Sequence, residues 1–391
     1  MYNCFLVIVF WVSVFLVCYT YVGYAVLLWI MVKIKKEKTL PEICEFPDVT
    51  LLIAAYNEKN YVDLKINNSR ELDYPKEKLH QVWITDGSDD GSDEMLKQYP
   101  DVTVYHQSER EGKIAAINRG MKLITTPIVV FSDANAMLGR ESVLRIARLF
   151  ADPEVGCVSG EKRIFDNEKD TAAGAGEGIY WKYESFLKRF DARLYSVVGA
   201  AGELFAIRSE LFTEVEDDTL LDDFIISLRI AMQGFTTQYD PEAYACETSS
   251  ENIKEELKRK IRIASGGFQA ITRLKSLLNI FKYRTLSFQY ISHRVLRWTL
   301  APLSLLTLLI SNLVIVRVGE GFCFFTLALV FQLLFYTLAL FGWIFENRKI
   351  RFKILFVPYY FFIMNLAAYL GFGAYVTKKQ DVKWEKAKRK T

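Results

Sequence analysis

The first 32 residues contain no Asp, Glu, Lys or Arg. A helix needs about 20 apolar residues to cross a bilayer. Residues 5–32 form one long uncharged run, followed at once by KIKKEK at 33–38. The run predicts a membrane anchor, long enough to cross with tilt. A cleaved signal peptide is the rival reading. The missing basic n-region and the length of the run speak against it. The basic flank places the chain from residue 33 onward in the cytoplasm and its start outside, because Lys and Arg are retained on the cytoplasmic side.

Charge is segregated along the rest of the chain. Residues from about 40 to 290 have an ordinary charged composition, while 299–317, 322–344 and 354–376 are apolar and long enough to span. YISHRVLRW (290–298) precedes them and mixes basic with aromatic residues, as an interfacial helix does. The organisation predicted is an anchor and basic linker over 1–40, a soluble domain over 41–285, and an interfacial helix with about three further spans over 286–391. The topology does not close. If all three C-terminal segments cross, the basic tail KKQDVKWEKAKRK lands outside, against the positive-inside rule. Either one segment lies in the interface or re-enters, or the rule fails.

A net charge of +3 gives no case for nucleic-acid binding. The six cysteines are scattered without metal-ligand spacing, and there are three histidines. A disulfide framework or zinc site is not expected, and such thiols fit a reducing cytoplasm.

From residue 49 the pattern is α/β. Buried-strand runs occur at 49–56, 81–88, 102–107, 127–135 and 155–164, with helical candidates at 57–72, 92–98 and 113–124. Alternation of this kind predicts a mostly parallel sheet covered on both faces. Ligands in such sheets bind beyond the carboxyl ends of strands. The polar motifs YNE, TDGSDDGS and SDAN follow the first, second and fourth runs.

Residue by residue the chemistry is ambiguous. Asp133 ends an apolar run with Asn135 two positions on, a hard-oxygen pair able to face Mg²⁺ or Mn²⁺. Asp86 stands in TDGSDDGS. Either aspartate is equally an ordinary turn residue. Lys113 follows Gly112 at a helix start, which suits an anion contact or a plain surface lysine. Asp217, Asp218, Asp222 and Asp223 look alike, and Asp at a helix start is common.

Together the motifs are more specific. IAAYNE (53–58), ITDGSDDGS (84–92), EREGKIAAIN (109–118), FSDAN (131–135), VGAAGELFAIR (198–208), LLDDF (220–224) and RKIRIASGG (259–267) stand in an order and spacing that resembles family 2 glycosyltransferases of the GT-A fold. The resemblance covers roughly residues 49–270. The flanking spans resemble the membrane-bound branch with cellulose, hyaluronan and poly-N-acetylglucosamine synthases and ceramide glucosyltransferases.

The resemblance implies roles. Tyr56, Glu58 and Asp86 line the nucleoside pocket, with Asp86 toward the base, and Lys113 approaches the nucleotide. Asp133 and Asn135 match the metal-binding DxD motif, with Asn in place of the second acid. Asp223 matches the catalytic base and Asp222 the acid before it. Adjacent carboxylates raise each other's pKa, which suits a base near neutral pH. Arg262 matches the arginine of the Gln-x-x-Arg-Trp motif and clamps the diphosphate. Arg259 stands where Gln is usual and Ile263 where Trp is usual, which weakens the case for processive polymerisation. Gly199 and Gly202 match the acceptor-side loop; an ordinary tight turn is the alternative.

The expectation is therefore a GT-A domain joined to transmembrane helices: an inverting, Mg²⁺- or Mn²⁺-dependent transferase of the inner membrane with its catalytic domain in the cytoplasm. Its partners would be a nucleotide-sugar, most simply a UDP-sugar, a lipid-linked or saccharide acceptor, and membrane lipids. A processive, polymer-exporting synthase is the first alternative. A catalytically dead membrane scaffold is the alternative from another class; Asp86, Asp133 and Asp223 are all retained against it.

Overall fold

The computed structural model describes residues 4–36, 45–164, 172–248, 253–318, 323–347 and 353–378. The end of the first basic flank, most of ENRKIRFK and the basic tail from 379 lie outside the described residues.

Eight strands form one sheet: β1 (Val49–Ala55), β2 (Leu79–Asp86), β3 (Val102–Gln107), β4 (Ile128–Ser132), β5 (Met137–Leu138), β6 (Val155–Ile164), β7 (Leu204–Arg208) and β8 (Thr236–Glu247). Their order is β3-β2-β1-β4-β7-β6-β8-β5. β1 pairs in parallel with both β2 and β4, and β2 in parallel with β3. A strand flanked on both sides and covered on both faces must be apolar throughout, which explains VTLLIAA in β1. β7 runs antiparallel between β4 and β6, and β6 and β8 pair in parallel. β7 and β8 were not read as strands in the sequence; LFAIR was absorbed into a glycine loop, and β8 carries Asp240, Pro241 and Glu242.

The helices preceding α8 are α1 (Cys4–Cys18), continued through one π turn into α2 (Tyr24–Ile34), then α3 (Lys59–Arg70), α4 (Ser92–Leu96), α5 (Lys113–Met121), α6 (Ser142–Leu149) and α7 (Ala172–Leu194). They are followed by α8 (Asp222–Met232), α9 (Ile253–Arg273), the short α10 (Ile280–Tyr283), α11 (Thr285–Tyr290) and α12 (Leu296–Trp298), and the long α13 (Leu300–Val318), α14 (Phe324–Asn347) and α15 (Lys353–Val376). Two buried clusters cover the sheet. One joins Leu52, Ile84 and Phe131 to Ile117 of α5 and Phe224 and Leu228 of α8. The other joins Leu51, Ile53 and Trp83 to Ile66 of α3 and Ile146 of α6. Successive residues of β1 thus point into opposite cores, as the two-residue strand period requires.

Four helices are long and apolar enough to cross a membrane: Cys4–Ile34, Leu300–Val318, Phe324–Phe345 and Val357–Val376. The basic stretch at 290–298, before the last three, does not present its charges outward. His293 is fully buried, 2.6 Å from Asp191 and 3.3 Å from Glu184, and Arg294 and Arg297 also pair with Glu184. Burial alone would raise the Glu184 carboxyl; Arg294, His293 and Arg297 hold it well below the usual carboxylate range. This segment is a polar plug between α7 and the spans, so its basic residues serve the protein interior.

Candidate active site

The site lies at the carboxyl ends of β1, β2 and β4, where the strand order reverses between β1 and β4. Tyr56 follows β1, and the Arg110 guanidinium lies 3.8 Å above its ring. Asn57 adopts a left-handed conformation (φ 54°). Its side chain exchanges hydrogen bonds with Asp89, donating from Nδ2 at 2.7 Å and accepting from the Asp89 N–H at 3.0 Å. That ties the loop after β1 to the loop after β2. Glu58 sits beside this junction, buried, at the start of α3.

Asp86 ends β2 and is buried. Its Oδ2 accepts N–H bonds from Gly112 at 2.6 Å and Glu111 at 3.1 Å, and its Oδ1 pairs with Arg119 at 3.0 Å. Asp86 therefore shapes the pocket by holding the loop before α5. Gly87 is required at its position: φ is +67°, and a Cβ there would lie 2.6 Å from Arg110 Cβ. Ala55, Tyr56, Asp86, Arg110, Gly112 and Lys113 line the resulting cavity.

Lys113 is the first residue of α5 and links the two halves of the site. Its Nζ is 2.8 Å from Asp133 Oδ1 and 3.5 Å from Asp222 Oδ2. Burial works against its charge, but Asp133, Asp222 and Asp223 together hold the ammonium well above its usual range. Asp133 follows β4, and the turn after it closes with Ala136 N–H on the Asp133 carbonyl at 3.1 Å, carrying Asn135. Burial, with Glu247 and Glu203 nearby, keeps the Asp133 carboxyl above the usual carboxylate range against the pull of Lys113.

Asp222 and Asp223 open α8. The four look-alike aspartates separate here. Asp218 is exposed and paired with Arg273, Asp217 is exposed, Asp222 faces Lys113, and Asp223 faces Gly202. A Cβ on Gly202 would lie 3.3 Å from Asp223 Oδ2. Burial, then the charge of Asp222, pushes the Asp223 carboxyl up to about 7.

Gly199 meets a packing constraint of its own. Its φ is +87°, and the space a Cβ would fill is taken by the Phe224 ring at 2.1 Å. The missing side chain lets α8 pack there, and Gly202 is the glycine that faces the carboxylate. Arg262 lies on α9, and its buried Nε has no hydrogen-bond partner among the described residues. Gly266, one turn on, packs against Leu220 and Leu221. Gln269 accepts the Leu220 N–H at 3.0 Å. These contacts pin α9 to the segment that delivers Asp222 and Asp223.

The sequence did not single out Arg110, Arg119, Glu203, Lys162 or Lys65. Lys162 bridges Glu203 at 2.7 Å and Glu247 at 2.9 Å. Lys65 is fully buried and donates to Ser132 Oγ at 2.7 Å and to the Ala136 carbonyl, bracketing the turn that carries Asp133. Burial lowers its amine to about 7. The available signal was its place beside Val62, Ile66 and Ser69 on the buried face of α3.

This architecture, a doubly wound sheet with the acidic and basic groups gathered at its switch point, is the GT-A fold of nucleotide-sugar-dependent transferases. The mannosyltransferase PcManGT from Pyrobaculum calidifontis, solved with GDP-Man and Mn²⁺, superimposes with a TM-score of 0.71 at 22% identity, covering 95% of this chain and 100% of that one. Residues 47–266 match the family model for glycosyltransferase-like family 2, and the chain belongs to that family. It is also similar to the poly-beta-1,6-N-acetyl-D-glucosamine synthase of Staphylococcus aureus (strain MSSA476), 25% identical over 237 residues, 59% of this chain and 57% of that one. The synthase of the same description from Staphylococcus epidermidis is 24% identical over 233 residues, 58% and 56% of the two chains. The chain thus spans little more than half the length of these curated relatives.

Proposed function

We propose that the chain is a membrane-bound, inverting glycosyltransferase. It takes a sugar from a nucleotide-sugar, most simply a UDP-sugar, on the cytoplasmic side of the cell membrane and passes it to a lipid-linked or saccharide acceptor. The observation that carries this reading is the arrangement around Lys113. One carboxylate (Asp133) and the Asp222–Asp223 pair gather around one half-buried ammonium, and Asp223, raised to about 7, faces the open backbone of Gly202.

In the reaction Asp223 accepts the proton of an acceptor hydroxyl. The oxygen attacks the anomeric carbon from the face opposite the nucleotide, and the bond from that carbon to the diphosphate oxygen breaks. The configuration inverts, and the electron pair leaves on the nucleoside diphosphate. Lys113 and Arg262 stabilise that departing charge, which grows in the transition state and so lowers the barrier selectively. Tyr56 and Arg110 hold the nucleoside, Asp86 fixes the loop beneath it, and Asp222 orients Lys113 while raising Asp223.

The metal expectation fits the donor set. No group of three or more His, Cys, Asp or Glu side chains able to hold a metal exists among the described residues. Mg²⁺ and Mn²⁺ in such enzymes need one or two protein oxygens plus substrate phosphates, and Asp133 with Asn135 offers that. When bound, the ion supplies Lewis-acid neutralisation of the diphosphate.

A second reading, processive synthesis of a polysaccharide, is favoured by the likeness to the staphylococcal synthases. Arg259 and Ile263 in place of the usual Gln and Trp favour single transfer. Purified protein with Mn²⁺ and a panel of nucleotide-sugars tests both. Nucleotide release with one donor and a lipid-extractable product supports the first reading, a polymer supports the second, and no release from any donor with folded protein defeats both.

A further inference from the structure

We propose that Glu203 is a specificity-determining residue of the donor site: its carboxylate accepts hydroxyl hydrogen bonds from the transferred sugar and turns away sugars that carry a carboxylate of their own. The donor is then a nucleotide linked to a neutral sugar, and nucleotide-hexuronates are excluded. The inference rests on the proposed function, in which Asp133 lies on the diphosphate side of the reacting carbon and Asp223 on the opposite side.

Position comes first. Glu203 follows Gly202, the glycine that faces Asp223, and directly precedes β7. Its carbonyl accepts from Ser132 Oγ at 3.3 Å, and Ser132 is the residue before Asp133. Glu203 thus touches the turn that carries one reacting carboxylate and adjoins the glycine that faces the other. Its charge acts on both, raising the Asp133 and Asp223 carboxyls alike. An inverting transfer puts the sugar between the leaving diphosphate and the base, and Glu203 borders that space.

The side chain is held firmly but not fully engaged. Oε1 accepts from Lys162 Nζ at 2.7 Å. Lys162 is itself buried, and it also pairs with the fully buried Glu247 at 2.9 Å. Burial alone would raise the Glu203 carboxyl; Lys162, then Arg259 of α9, hold it well below the usual carboxylate range, so it stays charged. Oε2 has no hydrogen-bond partner among the described residues, and 16% of the side chain is exposed. The backbone is braced as well. Lys65, fully buried, donates at 2.7 Å to the same Ser132 Oγ that meets the Glu203 carbonyl. A charged acceptor fixed at both ends gives up little freedom when a ligand arrives.

The chemistry of the free oxygen decides what fits it. An ionised carboxylate accepts hydrogen bonds and cannot donate. A sugar hydroxyl or an amide N–H satisfies it, and a second carboxylate does not. The surroundings sharpen the choice. Asp133, Asp222 and Asp223 make the neighbourhood acidic, and its ammonium groups are already engaged, Lys162 by Glu203 and Glu247, Lys113 by Asp133 and Asp222. A hexuronate would add one more negative charge with no free ammonium to meet it, and like charges set side by side reject a ligand strongly.

The test uses full-length protein in detergent with Mn²⁺. Each neutral nucleotide-sugar is paired with the analogue whose C6 is a carboxylate. The wild type should release nucleotide from a neutral donor, with kcat/KM at least about 100-fold lower for its hexuronate partner. Glu203→Gln should weaken binding of the productive donor by about 10- to 100-fold in calorimetry. Bare UDP or GDP should bind as before, which also shows that the variant is folded. One of the deoxyfluoro donors, whose fluorine cannot donate, should lose a similar factor on the wild type and little more on the variant. Comparable turnover of a hexuronate and its neutral partner overturns the proposal on the wild type alone, so a variant that does not fold cannot rescue it. Unchanged donor affinity in Glu203→Gln overturns it too, including the case in which only the KM for the acceptor rises. Folded wild type that releases nucleotide from no donor removes the proposed function itself, and this inference with it.

Discussion

Replacing Asp223 with Asn removes the proposed base and an unfavourable buried charge in one step. The two consequences have opposite signs. As a general base Asp223 contributes roughly 10²–10⁴-fold to rate, so kcat for nucleotide release from the productive donor falls by that factor while nucleotide affinity changes little. Stability moves the other way. The carboxyl rises from 3.8 to about 7 on folding; at 1.36 kcal/mol per tenfold this is a ceiling of about 4 kcal/mol, the cost of ionising it in the folded chain. Between pH 4 and 7 the folded protein holds a proton the unfolded chain has lost. Wild-type stability therefore falls as pH rises through that window and levels off above it. The Asn variant lacks this loss. Domains of this size gain about 2–4 °C in Tm per kcal/mol, so even a quarter of the ceiling is readable at pH 8 by differential scanning fluorimetry in detergent. A companion pH profile of wild-type kcat/KM should rise through a limb near 7. Full activity in the Asn variant, or a Tm that drops at pH 8, would refute the reasoning.

Other outcomes follow from the same geometry. Lys113→Met strands two half-buried carboxylates; breaking a fully buried pair costs about 3–5 kcal/mol, which is the ceiling here, so Tm should drop at pH 8, less at pH 5, and nucleoside diphosphate binding should be lost in calorimetry. Arg110→Ala removes the ring contact with Tyr56, worth about 0.5–2 kcal/mol, and should weaken nucleotide binding about 2- to 30-fold without altering the pH profile. Gly199→Ala forces a Cβ into Phe224 at φ +87° and should cost at least about 2 kcal/mol of stability, read as Tm. Chelation with EDTA should abolish nucleotide release, and added Mn²⁺ should restore it.

Much of the frame was legible because period and burial leave local marks. β1, β2, β3, β4 and β6 fall within a few residues of the apolar runs that announced them, and the long helices match the uncharged segments. β7 and β8 escaped because their neighbours are distant in the chain: β7 pairs antiparallel with β4, which no local pattern records. The site divides in the same way. Asp133 and Asp223 stand at element ends, where motif spacing finds them. The residues alone left Asp217, Asp218, Asp222 and Asp223 alike and the resemblance chose Asp223; in the structure Arg273 takes Asp218 while Gly202 faces Asp223. Arg110 reaches Tyr56, Arg119 reaches Asp86 and Lys65 reaches Ser132 and Ala136, partners 33 to 71 positions away, so their roles exist only in three dimensions. Gly199 was legible as a loop or turn glycine, and the Phe224 ring that fills its Cβ position was not.

A structure of the full-length protein with Mn²⁺ and UDP or GDP tests the central claim most directly. The account predicts the base beside Tyr56 and Arg110, the diphosphate within hydrogen-bond reach of Lys113 and Arg262, and the Asp223 carboxylate facing the position of the transferred sugar. A nucleotide bound away from the ends of β1, β2 and β4, or a diphosphate out of reach of both Lys113 and Arg262, would contradict it.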